Sequence, residues 1–153
     1  MPSLPYDAAD IAAANAPGGY EPIISNSRFS WRNGPVFERA DDSGWVRAFR
    51  VSSIHSNAGG FCHGGMLMTF ADIVLASAVL KKCGFPFVTL HMSSDFVAAV
   101  PTGAWVEGTA QVSHVTGSMA FVSGELKAEG QPCLSVSGIF KLLRSTSAPG
   151  IKS

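Results

Sequence analysis

Asp72 stands in "GGMLMTFADIVLASAVLKKCG", which is apolar or small on every side from Met66 to Leu80 apart from Thr69, Ser77 and this one full charge. An isolated charge in an apolar interior costs on the order of several kcal/mol, so an aspartate there needs a partner or a task. It could pair with an arginine or backbone donors, face water at a subunit boundary, or act as a catalytic carboxylate. Gly64 and Gly65 open the same predicted helix. The first four N–H groups of a helix lack intrahelical partners, and the helix dipole favours negative charge beside them. Glycines let a ligand approach those amides closely, which is a means of stabilising an oxyanion. A glycine pair also commonly just makes a turn, and the triplet "HGG" alone is a weak signal.

Position constrains the chemistry. At 1.5 Å per residue, Gly64 and Asp72 lie about 12 Å apart along one helix axis. One ester or thioester group cannot touch both on a single helix. An antiparallel helix from a second copy brings the N-terminus of one beside the middle of the other. If both groups are catalytic, the site lies at a dimer interface, with two sites per dimer.

Other reactive residues are weaker candidates. Cys62 and His63 are adjacent, a spacing that seldom brings nucleophile and base face to face, and Cys is commonly a small buried hydrophobe. Cys83 falls at a helix C-terminus, where the dipole disfavours a thiolate. His55, His63, His91 and His114 lack the short spacings of a zinc site, so no metal is expected. His63 is expected to brace the loop or cap the helix. Lys81, Lys82, Lys141 and Arg144 could meet phosphates or simply be solvated.

The elements that would position these residues are legible from pattern. "PYDAADIAAANAPGG" reads as a short helix with Asp7 as N-cap, stopped at Pro17-Gly18-Gly19, and Tyr20 to Asn33 reads as irregular. "GPVFERADDSGWVRAFRV" reads as two strands around Asp41-Asp42-Ser43-Gly44. A glycine-bearing loop then leads into the apolar helix, which closes at Cys83-Gly84 with Lys81 and Lys82 in its last turn. After Pro86 the pattern changes to period two. "FVTLHMSSDFVA" is a strand, and "AWVEGTAQVSHV", "MAFVSGELKAE" and "CLSVSGIFKLL" form an antiparallel meander with short turns. Gly108, Gly124 and Gly138 fall on the inward phase of these three strands. They would let a strongly coiled sheet bend around the helix, or make room for its bulky side chains.

The 153 residues suffice for one domain with a proper core. The expected divisions are an N-terminal arm over 1–33, a main domain over 34–144 and a flexible tail over 145–153. Eleven basic residues balance eleven acidic ones, and no basic stripe appears, which argues against nucleic acid. "MPSLPYDAAD" carries acids where a signal peptide needs cations. Met66 to Leu80 is short for a membrane span and holds Asp72. Three cysteines without a CxxC or an even framework suit a reduced cytoplasm.

"HSNAGGFCHGGMLMTFAD" resembles the signature of hotdog-fold acyl-CoA thioesterases, of the phenylacetate-pathway-type branch. Asn57, His63, Gly64, Gly65 and Asp72 stand at that branch's spacings, and the resemblance covers roughly Gly34 to Leu143. It implies an α+β hotdog fold, an antiparallel sheet wrapped around one long central helix. It also implies hydrolysis of an acyl-CoA to free acid and coenzyme A without a cofactor, while the distance between Gly64 and Asp72, if both act on one substrate, makes a homodimer the minimum active unit and leaves a dimer of dimers open. By the same resemblance Asp72 is nucleophile or general base and the Gly64 amide polarises the thioester carbonyl. Asn57 orients water or thioester, and Thr89 holds the attacking water. His63, Gly65, Phe61 and Met68 are expected beside the substrate, and the apolar Phe61, Met66, Met68 and Phe70, with the N-terminal arm, suggest a medium to long or aromatic acyl group. His91 stands where the branch more often has an acidic residue, and Ser93 where it has Asn or Ser. The alternatives are a non-catalytic acyl-CoA binder on the same fold and, more weakly, a hydratase, for which no nearby Asp/His pair is found.

Overall fold

The computed structural model describes residues 8–42 and 44–144. Asp7, Ser43 and the tail over 145–153 lie outside them. Helix α1 (Ala8–Ala14) is followed by a short β1 (Glu21–Pro22), helix α2 (Arg28–Asn33), and the strands β2 (Phe37–Asp41) and β3 (Gly44–Arg50). Then come the long helix α3 (Gly64–Cys83) and four strands: β4 (Phe87–Phe96), β5 (Trp105–Val115), β6 (Met119–Ala128) and β7 (Gln131–Leu142). Two elements lie where an irregular segment was expected. Strand β1 is one. The other is α2, only six residues long, with its Ser27 hydroxyl accepting from Ser30 N–H.

All strands belong to one antiparallel sheet of order β1-β2-β3-β5-β6-β7-β4. The meander β5-β6-β7 is its centre. Strand β4 follows α3 in the chain yet pairs with β7, so it forms the outer edge beside the helix. The sheet wraps α3, giving the hotdog arrangement expected from the sequence.

Leu, Met and Ala favour the helical state of α3, and burial fixes it. Phe70, Val74, Leu75 and Val79 are wholly buried against inward residues of the sheet, among them Phe49, Val106, Leu126 and Phe140. Each such side chain contributes about 1.5–3 kcal/mol relative to exposure. The interior glycines work in two ways. A Cβ on Gly108 would lie 2.6 Å from Val74 Cγ2, and one on Gly138 would lie 2.9 Å from Leu75 Cδ1, so both admit helix side chains. A Cβ on Gly124 would lie 2.5 Å from the Thr109 carbonyl oxygen, so Gly124 admits the neighbouring strand instead.

With 20 residues, α3 extends beyond the Met66 to Leu80 stretch and has the length and apolar composition to cross a membrane. Here half of its most apolar window is buried inside the fold. It is not buried all round. Thr69, Asp72, Ile73, Ala76 and Leu80 remain partly open, and their three- and four-residue spacing puts them on one stripe. On the opposite face of the sheet, Tyr20, Phe37, Ala48 and Trp105 form a second cluster under α1. Arg50 donates to the carbonyls of Ala14 and Asn15 and lies over the Trp105 ring, fastening the arm.

Candidate active site

The chain enters α3 through a loop held at several points. His63 N–H donates to His55 O at 2.8 Å and Cys62 N–H to Val100 O at 2.7 Å. Asn57 closes the loop on itself: its side-chain oxygen accepts from Gly59 N–H at 2.9 Å and Phe61 N–H at 3.2 Å. That oxygen is committed, so a ligand contact from Asn57 would come through the NH2 group. Beneath the loop His55 is buried against Phe49. Its Nδ1 accepts from Ser52 N–H at 3.0 Å and its Nε2 meets Asn33 O at 2.8 Å, which ties α2 to the loop. Burial holds the His55 pKa below its ordinary value.

His63 is the N-cap of α3, as a helix-capping role requires. Its Nδ1 accepts from Gly65 N–H at 2.8 Å, while its carbonyl takes the N–H groups of Met66 and Leu67. The amide of Gly64 is left with no partner among the described residues. Three of the first four donors of the helix are consumed locally, and the fourth belongs to the residue whose missing side chain opens the approach. Gly65 therefore serves the cap. Cys62 is buried, and burial pushes its thiol up to about 11, which opposes a Cys62–His63 nucleophile pair.

Asp72 lies on the partly open stripe of α3, and its Oδ1 accepts from Thr89 Oγ1 at 2.9 Å. Neither an arginine nor a backbone donor is bonded to this carboxylate among the described residues. Thr89 is exposed at the start of the edge strand β4. Asp72 and Thr89 are thus brought together within one chain, as are Asn57, Phe61 and Gly64. The two groups remain apart, about 12 Å along the helix. Met68 is half-buried on α3, and Met66 and Phe70 are in the core.

Two features escaped the sequence pattern. The pairing of β4 with β7 shifts register between Thr89 and His91. After this bulge Met92 packs on the core, whereas Ser93 and Asp95 line a trough on the outer face with Thr109, Gln111, Ser123 and Ser137. His91 is exposed. The second feature is Phe96, at the end of β4. A Cβ on Gly64 would meet its ring at 3.5 Å. Phe96 and Val97, with Asn57, Phe61, Gly64 and Leu67, line a groove of about 400 Å3 at the N-terminus of α3. A carboxylate holding a hydroxyl, an unpartnered helix amide and an apolar groove can serve addition of water to a carbonyl carbon.

The thioesterase superfamily model matches residues 59–134, from the loop through α3 into β7. A Pseudomonas aeruginosa protein named "Putative esterase PA0474" is 35% identical over 131 residues, which span 84% of this chain and 98% of that protein. A mutant of the phenylacetic acid degradation protein PaaI from Thermus thermophilus superposes with TM-score 0.68 at 25% identity, covering 76% of this chain and 100% of that one. The BH2602 protein of Bacillus halodurans, solved with CoA, superposes with TM-score 0.69 over 78% of this chain and 81% of its own; at 17% identity that likeness concerns the fold. The chain belongs to the thioesterase superfamily.

Proposed function

We propose that the protein hydrolyses acyl-CoA thioesters to the free acid and coenzyme A, at sites shared by two copies of the chain. Asp72 acts as base or nucleophile, and the Gly64 N–H polarises the carbonyl. In the general-base form, water held by Thr89 and Asp72 adds to the carbonyl carbon as Asp72 takes its proton. The developing oxyanion is held by the Gly64 amide. The C–S bond then breaks, and the coenzyme A thiolate leaves and is protonated.

The observation that carries this reading is the placement of two unspent groups. Asp72 lies on the partly open stripe of α3, where Thr89 of β4 donates to it, and the Gly64 amide at the start of that helix has no partner among the described residues. A second copy supports their meeting. The stripe borders β4, whose outer edge pairs with no strand among the described residues and which carries exposed Val88 and Leu90. A free apolar edge of this length calls for a cover. An antiparallel copy across β4 would align two α3 helices head to tail. Coenzyme A as the thiol portion is in keeping with the CoA-bound fold relative.

The test is release of thiol with time from a panel of short, long and aromatic acyl-CoA esters. Asp72→Asn keeps an oxygen that can accept from Thr89, so the variant should fold normally. It should lose about 10²–10⁴ in kcat. Tight acyl-CoA binding without thiol release by the unaltered protein would favour a non-catalytic binder. Near-normal turnover by Asp72→Asn would remove Asp72 from the chemistry.

A further inference from the structure

The geometry points to Phe96 as the residue that selects the acyl group, a role that rests on the thioesterase reading above. If the thioester oxygen is bonded to the Gly64 N–H, the carbonyl carbon lies beside Gly64, one of the residues that line the groove. Phe96 is next to that point, since its ring is in contact distance of the position a Gly64 side chain would take. More than half of Phe96 and of Val97 is exposed, at 54% and 61%. Neither is needed to fill the core. Phe61, also exposed, faces them from the loop fixed by Asn57. These are apolar surfaces kept out of the core and gathered at one amide.

The lining decides which half of the substrate they meet. No charged side chain among the described residues lines the groove, and Asn57 supplies its one polar side chain apart from the buried Cys62. This chain offers the phosphates of coenzyme A no cation there among the described residues. For the two amides of the pantetheine arm this chain offers one uncharged polar side chain, Asn57, besides the backbone of the lining residues, a poorer set of partners than water. A hydrocarbon or aryl acyl group loses nothing and gains the faces of Phe61 and Phe96. The groove therefore takes the acyl side, and the thiol side leaves in the other direction.

The experiment compares Phe96→Ala and Phe96→Leu with the unaltered protein on acetyl, hexanoyl and phenylacetyl thioesters. Each acyl group is presented once on coenzyme A and once on N-acetylcysteamine, which lacks the nucleotide and most of the arm. The expected result is a loss in kcat/KM that grows with acyl size. For Phe96→Ala it should be at least about tenfold greater on phenylacetyl than on acetyl, equally in both series. Phe96→Leu should show the same order with a smaller spread, and it keeps the role testable should the alanine variant fold poorly. A loss equal for all acyl groups and confined to the coenzyme A series would place the ring on the pantetheine arm and overturn the inference. A uniform loss in both series would overturn it as well, leaving Phe96 as a support for Gly64. Absence of turnover by the unaltered protein on every ester would overturn the underlying function together with it.

Discussion

Gly64→Pro isolates one hydrogen of the protein. Proline has no backbone N–H, so the substitution deletes the unpartnered amide and breaks no bond within the described residues. The local backbone accepts it. Gly64 is the first residue of α3, the helical position that favours proline. His63 before it has φ −60° and ψ 135°, close to polyproline II and outside the α region that a following proline disfavours. The new Cβ would meet Phe96 at 3.5 Å, an ordinary contact. Stability should change by no more than about 1 kcal/mol, or roughly 2–4 °C in Tm for a chain of this size. Turnover should fall by about 10²–10³, the cost of one oxyanion donor. Gly64→Ala places a Cβ at the same point while retaining the N–H, so its loss should be far smaller. Thermal unfolding and thiol release on the three proteins check both halves. A folded Gly64→Pro with near-normal turnover would refute the amide's role, and equal losses in the proline and alanine variants would attribute the effect to the side chain.

Further outcomes follow from the core and from His55. Gly108→Ala forces a Cβ to within 2.6 Å of Val74, and Gly124→Ala to within 2.5 Å of a backbone oxygen. Each should cost about 1–3 kcal/mol, with Gly124→Ala the worse because a strand yields less than a side chain; thermal denaturation of the pair checks the order. The pKa of His55 is lowered in the fold by burial, and protonation would set a donor at Nδ1 against the Ser52 N–H it now accepts. Below about pH 6.5 the unfolded chain takes up this proton and the folded one does not, down to the depressed folded value. This contribution to stability is full above that window and is lost as pH falls through it. His55→Gln should show a shallower fall of Tm between pH 7.5 and 5.5 than the unaltered protein, and an unchanged slope would count against His55 as its source.

The parts legible in the sequence were those set by local pattern. The meander β5-β6-β7 alternates in hydrophobicity, α3 is a long apolar run with a glycine stop, and Asp72 contradicts its surroundings. The family spacing from Asn57 to Asp72 then proposed the site. Long-range pairing was not legible. Nothing local places β4 beside β7 at the sheet edge rather than next to its sequence neighbours. The register shift at Thr89 and His91 has no marker such as glycine or proline, so the turn of Met92 toward the core and of Ser93 outward was hidden. Helix α2 was missed because six residues carry too little periodicity and depend on tertiary contacts such as Asn33 O with His55. Phe96 fell unremarked inside the strand read over "FVTLHMSSDFVA"; its nearness to Gly64 joins residues far apart in the chain.

The central claim, a site completed by two chains, is tested most directly by subunit complementation. Gly64→Pro and Asp72→Asn are each expected to be inactive alone. When they are mixed and exchange subunits, a heterodimer has one site with both lesions and one with neither. Roughly half the dimers are mixed, so activity should return to about a quarter of normal per total subunit. Hybrids confirmed by native mass spectrometry yet without recovered thiol release would contradict the shared site, because a site within one chain is damaged in every subunit of the mixture.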